Sequence, residues 1–182
     1  RRGMTMTKPA RFAATSRKTS GQVETNGQAY RDAMARIASA VHVVTTDGRA
    51  GRAGLTMTAV ASISDSPPML LICVNRTLHS GERLISNGVF CVNVLAAADQ
   101  ALADDFAGRT GLHREQRFGR GDWLTLATGA PVLASAISAF DCRIAEVRDV
   151  ATHHVIIGAV EAVRTGPEYP SLAYHNRAYR AV

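Results

Sequence analysis

The most constraining feature of this 182-residue chain is a ten-residue stretch, 55–64, in which side chains alternate strictly between two kinds. Leu55, Met57, Ala59, Ala61 and Ile63 share one face of an extended chain, and Thr56, Thr58, Val60, Ser62 and Ser64 share the other. A period of two predicts a β-strand. Its hydroxyl-bearing face either meets solvent, as in an ordinary half-buried strand, or receives a ligand, because small hydroxyls both donate and accept hydrogen bonds.

Further strands are predicted on both sides of this stretch, with few helices between them. A strand at 41–46 leads into a glycine-rich segment, 48–54, which lacks the spacing of a phosphate-binding loop and indicates a hairpin loop. The apolar run 69–74 indicates a strand buried on both faces. The other predicted strands cover 89–95, about 136–147, 154–163 and 172–174. Six or seven strands at this spacing predict a mainly β fold, an antiparallel barrel rather than a parallel sheet.

Three short helices and one long loop complete the prediction. The helices cover about 30–39, 80–87 and 99–107, with Ser80 as the N-cap of the second and Gly88 as its stop. The loop 109–126 contains two large aromatic residues, Phe118 and Trp123, which we expect to anchor it to the core.

Charge and composition divide the chain into two parts. Residues 1–27 hold six basic residues against Glu24, so most of the net charge of +6 belongs to this segment, which we predict to be a disordered tail. Residues 28–182 form one nearly neutral domain with no basic, aromatic-rich surface for nucleic acid. No apolar run approaches the roughly 20 residues that span a bilayer. Three isolated cysteines, Cys73, Cys91 and Cys142, read as small hydrophobic residues of a reduced, cytoplasmic protein.

Several well-known catalytic and metal-binding patterns are absent from the sequence. It contains no GxSxG, HExxH, P-loop or EF-hand motif, and no cluster of residues with metal-ligand spacing. His153 and His154 are adjacent, so in a strand they point to opposite faces and at most one can serve a given site.

The order of several segments resembles a known family, the short-chain flavin reductases, whose members have the FMN-binding split-barrel fold. The matching segments are 54–68, Asn75, 87–95, 106–111, Arg117-Phe118 with Trp123, 131–133, Thr152-His153 with Gly158, and 172–174 ahead of Tyr179. The resemblance implies an NAD(P)H:flavin oxidoreductase that passes hydride from NADH or NADPH to FMN or FAD. It also implies a homodimer that supplies diffusible reduced flavin to a partner monooxygenase.

Within the family, the chain is similar to the reductase components of 4-hydroxyphenylacetate and pyrimidine-ring monooxygenases. It is equally similar to the cob(II)yrinic acid a,c-diamide reductases, which use the same flavin chemistry on a corrinoid. A non-catalytic flavin-binding protein of the same fold is a further alternative, because such a protein would hold flavin in its cleft but admit no nicotinamide.

The resemblance also implies a set of site residues. Flavin contacts fall on Thr56, Met57, Thr58 and Ala59 at the isoalloxazine, on Ser62, Ser64 and Ser80 at the phosphate, and on Asn75 and Asn93. His153 and Tyr174 fall near the nicotinamide. His153 either positions that ring and relays a proton or is a strand histidine satisfied by its neighbours. Leu78 departs from the family pattern, because many relatives carry serine there.

Overall fold

The computed structural model describes residues 26–182, so most of the predicted tail, 1–25, lies outside the described residues. Helix α1 covers Gly27–Met34 and begins earlier than expected, because the Asn26 side chain caps it by accepting a 2.8 Å hydrogen bond from the Ala29 amide. Helices α2 and α3 cover His79–Asn87 and Gln100–Phe106. Two 3₁₀ segments cover Ala97–Asp99 and Arg114–Gly119.

The described residues contain twelve strands, most of them in one sheet. They are β1 Ser39–Ala40, β2 His42–Thr46, β3 Ala53–Met57, β4 Val60–Asp65, β5 Pro68–Asn75, β6 Val89–Val94, β7 Trp123–Thr125, β8 Pro131–Leu133, β9 Ser138–Val150, β10 His153–Thr165, β11 Leu172–His175 and β12 Ala178–Ala181. Seven form an antiparallel sheet in the order β3-β2-β6-β9-β10-β5-β4, while β1-β11-β12 and β7-β8 form smaller sheets. The predicted mainly β, antiparallel fold with few helices is confirmed.

The main sheet curls into a barrel because two strands adjacent in sequence lie at its opposite edges. Strands β3 and β4 are the two edges, yet only Thr58 and Ala59 separate them. Three Cα-to-Cα steps of about 3.8 Å join Met57 to Val60, so the two edges come within about 11 Å of each other at this corner. The β3–β4 corner therefore closes one end of an otherwise open sheet.

The single strand predicted over 55–64 is wrong, because the chain breaks at this corner. Ahead of the corner Leu55 is buried, but beyond it Ala61 and Ile63 are exposed, although the alternation had placed all three on one face. Val60 packs into the barrel core instead. The alternation continues through the corner because each of the two short strands buries one face. A period of two does not show which face of a strand is buried or at which edge of the sheet the strand lies.

Two other expectations on burial need correction. Strand β5 is not buried on both faces: Leu70, Ile72 and Val74 are buried, whereas Leu71 and Cys73 between them are only half-buried. Cys73 is therefore not a core residue. Cys91 and Cys142 are buried as expected, and burial raises the pKa of both thiols, that of Cys142 to about 12.

Three aromatic rings attach the long loop to the domain, as predicted for Phe118 and Trp123. The ring centroids of Phe118 and Trp123 lie 5.0 Å apart, and those of Phe118 and Phe106, in α3, lie 4.9 Å apart. Both pairs are edge to face. The Trp123 indole also donates to the Phe118 carbonyl at 3.0 Å. These contacts fix the 3₁₀ segment 114–119 against the hairpin of β2 and β3, whose loop was also predicted.

Candidate functional site

Two clefts of similar size but opposite character open on the domain. The first, the basic cleft, has a volume of about 480 Å³ and lies between the β2–β3 hairpin, the start of α2 and the 3₁₀ segment. Its lining consists of Arg52, Ala53, Gly54, Leu78, His79, Ser80, Glu82, Arg83, His113, Arg114 and Arg117. Four arginines face a single carboxylate there, so the cleft is strongly positive and suits an anion.

Neighbouring groups hold three of these arginines in place. Arg52 pairs with Asp47 at 3.1 Å, and its guanidinium carbon lies 5.2 Å from the centre of the Phe118 ring. Arg83 donates to the Arg52 carbonyl at 3.2 Å, and Arg117 donates through Nε to the Leu112 carbonyl at 3.0 Å. Donation to carbonyls leaves the positive charge of Arg83 and Arg117 uncompensated, so it is available to a ligand.

The start of α2 forms one wall of the basic cleft and differs from the prediction. Leu78, not Ser80, occupies the N-cap position, and no side chain caps the helix. Ser80 is the second residue of the helix, and its hydroxyl donates to the Gly54 carbonyl at 3.4 Å. An uncapped helix start leaves backbone N–H groups and the positive end of the helix dipole for an anion.

The second, the apolar cleft, lies at the mouth of the barrel and has a volume of about 370 Å³. Its lining consists of His42, Val60, Ser62, Ser64, Asp65, Pro68, Met69, Leu70, Val92, Phe140, Val160 and Val163. Ser62 and Ser64 therefore line a different cleft from Ser80. Within one chain, the structure does not bring the three predicted phosphate ligands together.

His42 in the apolar cleft was missed by the sequence analysis. It is 8% exposed, and burial lowers the pKa of its imidazole, although its hydrogen bond with the Met57 carbonyl acts in the opposite direction. Its Nδ1 lies 3.3 Å from that carbonyl oxygen and so donates to it. A histidine within an apolar run is typical of a core strand, so the sequence carried no signal for this placement.

The β3–β4 corner exposes part of the predicted isoalloxazine contact. Thr58 and Ala59 are exposed, whereas Thr56 is half-buried and its hydroxyl donates to the Ala103 carbonyl at 2.6 Å. The Ala59 carbonyl accepts the amide hydrogen of Cys73 at 3.1 Å, which ties the corner to β5. A planar ring can approach the corner at Thr58 and Ala59 but not at the Thr56 hydroxyl.

His153 and Asn75 lie opposite each other on β10 and β5. His153 Nδ1 is 2.9 Å from the Thr152 hydroxyl oxygen, and Asn75 Oδ1 accepts from both the amide and the hydroxyl of Thr77 at 3.0 Å. His154 lies on the other face of β10, as expected for adjacent strand residues, and its Nδ1 is 2.6 Å from Asp149. The predicted catalytic histidine thus shares a sheet face with a predicted flavin contact.

Seven of the ten predicted cofactor contacts line neither cleft: Thr56, Met57, Thr58, Ala59, Asn75, Asn93 and Tyr174. Asn93 is fully buried: its amide nitrogen donates to the Val43 carbonyl at 3.0 Å, and its oxygen accepts from the Leu133 amide at 2.7 Å. These protein partners satisfy both polar atoms of the side chain, and its role as a flavin contact stays a prediction. Tyr174 lies in the small sheet, where its ring packs against Tyr179 at 5.4 Å.

Among residues 26–182, no group of three or more histidine, cysteine, aspartate or glutamate side chains is arranged to hold a metal ion. No helix in the same range has the length and hydropathy needed to cross a bilayer.

Comparison with known proteins places these features in context. Residues 34–182 match the family model described as flavin reductase like domain. The FMN reductase (NADH) RutF 2 of Methylorubrum extorquens (strain PA1) is 53% identical over 157 residues, which cover 86% of this chain and 90% of that protein.

Two solved structures are also similar to this chain. BorF, the flavin reductase component of a bacterial two-component tryptophan halogenase, superposes with a TM-score of 0.80 at 28% identity and covers 86% of this chain and 98% of its own. The NADH:FAD oxidoreductase SgcE6 of Streptomyces globisporus, in complex with NAD and FAD fragments, gives a TM-score of 0.78 at 27% identity and covers 88% and 96%.

Proposed function

This chain belongs to the family of flavin reductase-like domains, and from that premise we propose that it is an NADH-dependent flavin reductase. It transfers a hydride from NADH to FMN, with FAD as the alternative acceptor. The observation that carries the proposal is the basic cleft at the start of α2. A flavin nucleotide carries a phosphate and NADH a pyrophosphate, and four arginines beside an uncapped helix start suit either.

The β3–β4 corner and the basic cleft serve the two ends of the flavin. Thr58 and Ala59 border the isoalloxazine together with the backbone of Thr56 and Met57. Ser80 and the first turn of α2 hold the phosphate. Both sites adjoin β3, because Gly54 at the start of that strand lines the basic cleft and Met57 at its end enters the corner.

Hydride transfer requires that two rings be oriented, and it requires no acid–base pair of side chains. When bound, the nucleotides would supply the reacting atoms, with hydride passing from nicotinamide C4 to flavin N5 between stacked rings. The protein's residues hold the rings at contact distance and exclude water. His153 positions the nicotinamide from the sheet face that it shares with Asn75.

We further propose that two copies of the chain form the active unit and release reduced flavin to a separate monooxygenase in the cytoplasm. Val163, 58% exposed, lines the apolar cleft, and Ile63, 46% exposed, lies between the lining residues Ser62 and Ser64 in the sequence; both offer a second copy apolar surface. Three cysteines without disulfide partners suit a reducing compartment. Ser62 and Ser64 would then contact the flavin bound by the partner copy.

The test is NADH oxidation by the purified full chain, with FMN, FAD or riboflavin as acceptor. We expect oxidation that requires added flavin and scales with it. Tight flavin binding without oxidation of NADH or NADPH would instead assign the chain to the non-catalytic flavin-binding proteins. A corrinoid acceptor reduced faster than free flavin would assign it to the corrinoid reductases.

The role of His153 has its own test, with His175→Ala as the matched control because His175 lies in the small sheet. His153→Ala should raise the KM for NADH and leave flavin binding unchanged. Unchanged NADH oxidation would remove His153 from the mechanism and leave it as a strand residue bonded to Thr152.

A further inference from the structure

An exposed carboxylate, Asp149, lies beside the turn that leads into His153, and the proposed mechanism does not use it. Asp149 is directly opposite His154 in the pairing of β9 with β10. His154 Nδ1 is 2.6 Å from one carboxylate oxygen and so donates to it, and Arg76 Nη2 is 3.5 Å from the other. One side chain therefore joins both strands of the β9–β10 hairpin to the segment that follows β5.

The backbone of this turn is strained. Only Ala151 and Thr152 separate the paired residues Val150 and His153. Ala151 has a φ of 50°, in the left-handed region that residues with a Cβ seldom adopt. Such residues persist where surrounding contacts hold them, and they cluster at functional sites. The turn therefore depends on the contacts made around it.

Arg76 supports the turn from outside the hairpin. Its backbone amide donates to the Thr152 carbonyl at 3.0 Å, and its guanidinium pairs with Asp149. In the part of the chain that the structure describes, Asp149 is the only carboxylate paired with either Arg76 or His154. Loss of this carboxylate would leave both side chains without their ionic partner.

The segment held in this way also carries the residue opposite His153. Asn75 pairs with His153 across β5 and β10, and Arg76 is the next residue of the chain. Asn75 Oδ1 accepts from both the amide and the hydroxyl of Thr77 at 3.0 Å, which fixes the same segment locally. The contact between Asp149 and Arg76 therefore fixes the start of β10 relative to Asn75.

From these contacts we propose that Asp149 is a positioning residue for the nicotinamide. Through His154 and Arg76 it holds the turn 151–152, and with the turn it sets the orientation of the His153 ring. The inference rests on the proposed function, because it acts on the role assigned to His153. Asp149 is half-exposed, and exposed ion pairs contribute little to stability, so its effect falls on placement rather than on folding.

Steady-state NADH oxidation by Asp149→Ala tests the proposal. We expect the KM for NADH to rise roughly three- to tenfold, because one supporting hydrogen bond is lost, and the KM for FMN to stay unchanged. Glu146→Ala is the matched control, since Glu146 is another exposed acid of β9 but pairs with Arg148. Its constants should equal those of the wild type. Thermal melting confirms that each variant is folded.

A double variant shows whether Asp149 acts through His153. In protein that already carries His153→Ala, the change Asp149→Ala should cause no further rise in the KM for NADH, because the ring that it positions is gone. A rise as large as in the otherwise wild-type chain would overturn the proposal.

Hydrogen exchange at the Arg76 amide, followed by NMR, gives a readout that needs no activity. Its bond to the Thr152 carbonyl should open more often in Asp149→Ala, so exchange should be severalfold faster than in Glu146→Ala. Either unchanged exchange or an unchanged KM for NADH overturns the proposal. Wild-type protein that oxidises no NADH with any flavin would instead defeat the proposed function, and the exchange rate would still show whether Asp149 holds the turn.

Discussion

The basic cleft and the apolar cleft differ in the polar side chains that line them and in how those side chains are held. In the basic cleft, charged side chains from three separate segments converge, and carbonyl groups and the Phe118 ring hold them without neutralising most of them. In the apolar cleft, apolar residues from five strands surround one histidine of a sixth strand, and burial lowers the pKa of its imidazole.

This difference separates recognition of a ligand's charge from recognition of its shape. Guanidinium groups at a helix start discriminate by charge, and their effect falls with ionic strength. An apolar cleft discriminates by size and fit and is insensitive to salt. The flavin substrates offer a direct comparison, because riboflavin lacks the phosphate that FMN carries.

The largest expected effect comes from reversing one charge in the basic cleft. Arg83→Glu should raise the KM for FMN by roughly 100-fold, because a charged hydrogen-bond donor is replaced by a repelling carboxylate. The KM for riboflavin should change little. Steady-state NADH oxidation measures both constants, and Arg148→Glu is the control. An equal rise in the KM for FMN and for riboflavin would show that the basic cleft does not recognise the phosphate.

A smaller effect is expected from filling the floor of the same cleft. A Cβ at Gly54 would lie 2.6 Å from the Phe106 ring, which Phe118 and Trp123 hold in place. Gly54→Ala should therefore lower the free energy of unfolding by about 1–3 kcal/mol, as overpacking does. Chemical denaturation measures it. Gly119→Ala, where a Cβ meets no atom within 4 Å, is the control and should change stability by less.

Salt should separate the phosphate contact in the basic cleft from the ring contact at the β3–β4 corner without any mutation. Raising ionic strength from low to physiological values should weaken FMN binding severalfold and leave riboflavin binding nearly constant, because screening acts on the charged contacts. Flavin fluorescence titrations at several salt concentrations provide the measurement. A parallel decline for both flavins would contradict recognition of the flavin phosphate by charge in the basic cleft.

The smallest effect concerns His42. Because its folded pKa lies below the unfolded value of about 6.5, its contribution to stability is complete above that pH and is lost as pH falls below it. His42→Gln should remove this dependence, so stability of the variant should fall less between pH 7 and pH 5. Denaturant unfolding at each pH measures the slope. Identical slopes would mean that the imidazole is not desolvated.

The sequence predicted local features of the fold better than features that depend on distant segments. The hairpin loop at 48–54 and the anchoring roles of Phe118 and Trp123 follow from turn chemistry and aromatic burial, and both are confirmed. The break between β3 and β4 at Thr58 and Ala59 was not predicted, because the alternation of side chains over 55–64 continues through it. Which sheet edge a strand joins is decided by the rest of the barrel.

The candidate site was predictable in part for the same reason. Thr58 and Ala59 came from the contiguous match over 54–68 and are exposed, and Ser80 came from its predicted place at a helix start and lines the basic cleft. The arginines of the basic cleft come from three segments with no common spacing, and the nearly neutral charge of the domain concealed them. Asn93 shows the opposite limit: the sequence marks an asparagine in an apolar strand as polar and buried, but only the structure shows the protein partners that satisfy it.

The β3–β4 corner has a consequence for the motions of the domain. It is bonded to β5 by the Cys73 amide, which donates to the Ala59 carbonyl, and to β2 by the His42 ring, which donates to the Met57 carbonyl. Separation of the corner from β5 breaks the first of these bonds, and separation of the corner from β2 breaks the second. A flavin resting on Thr58 and Ala59 would therefore slow hydrogen exchange at the Cys73 amide. Local opening of the barrel at this corner would then be less frequent when flavin is bound than when it is released.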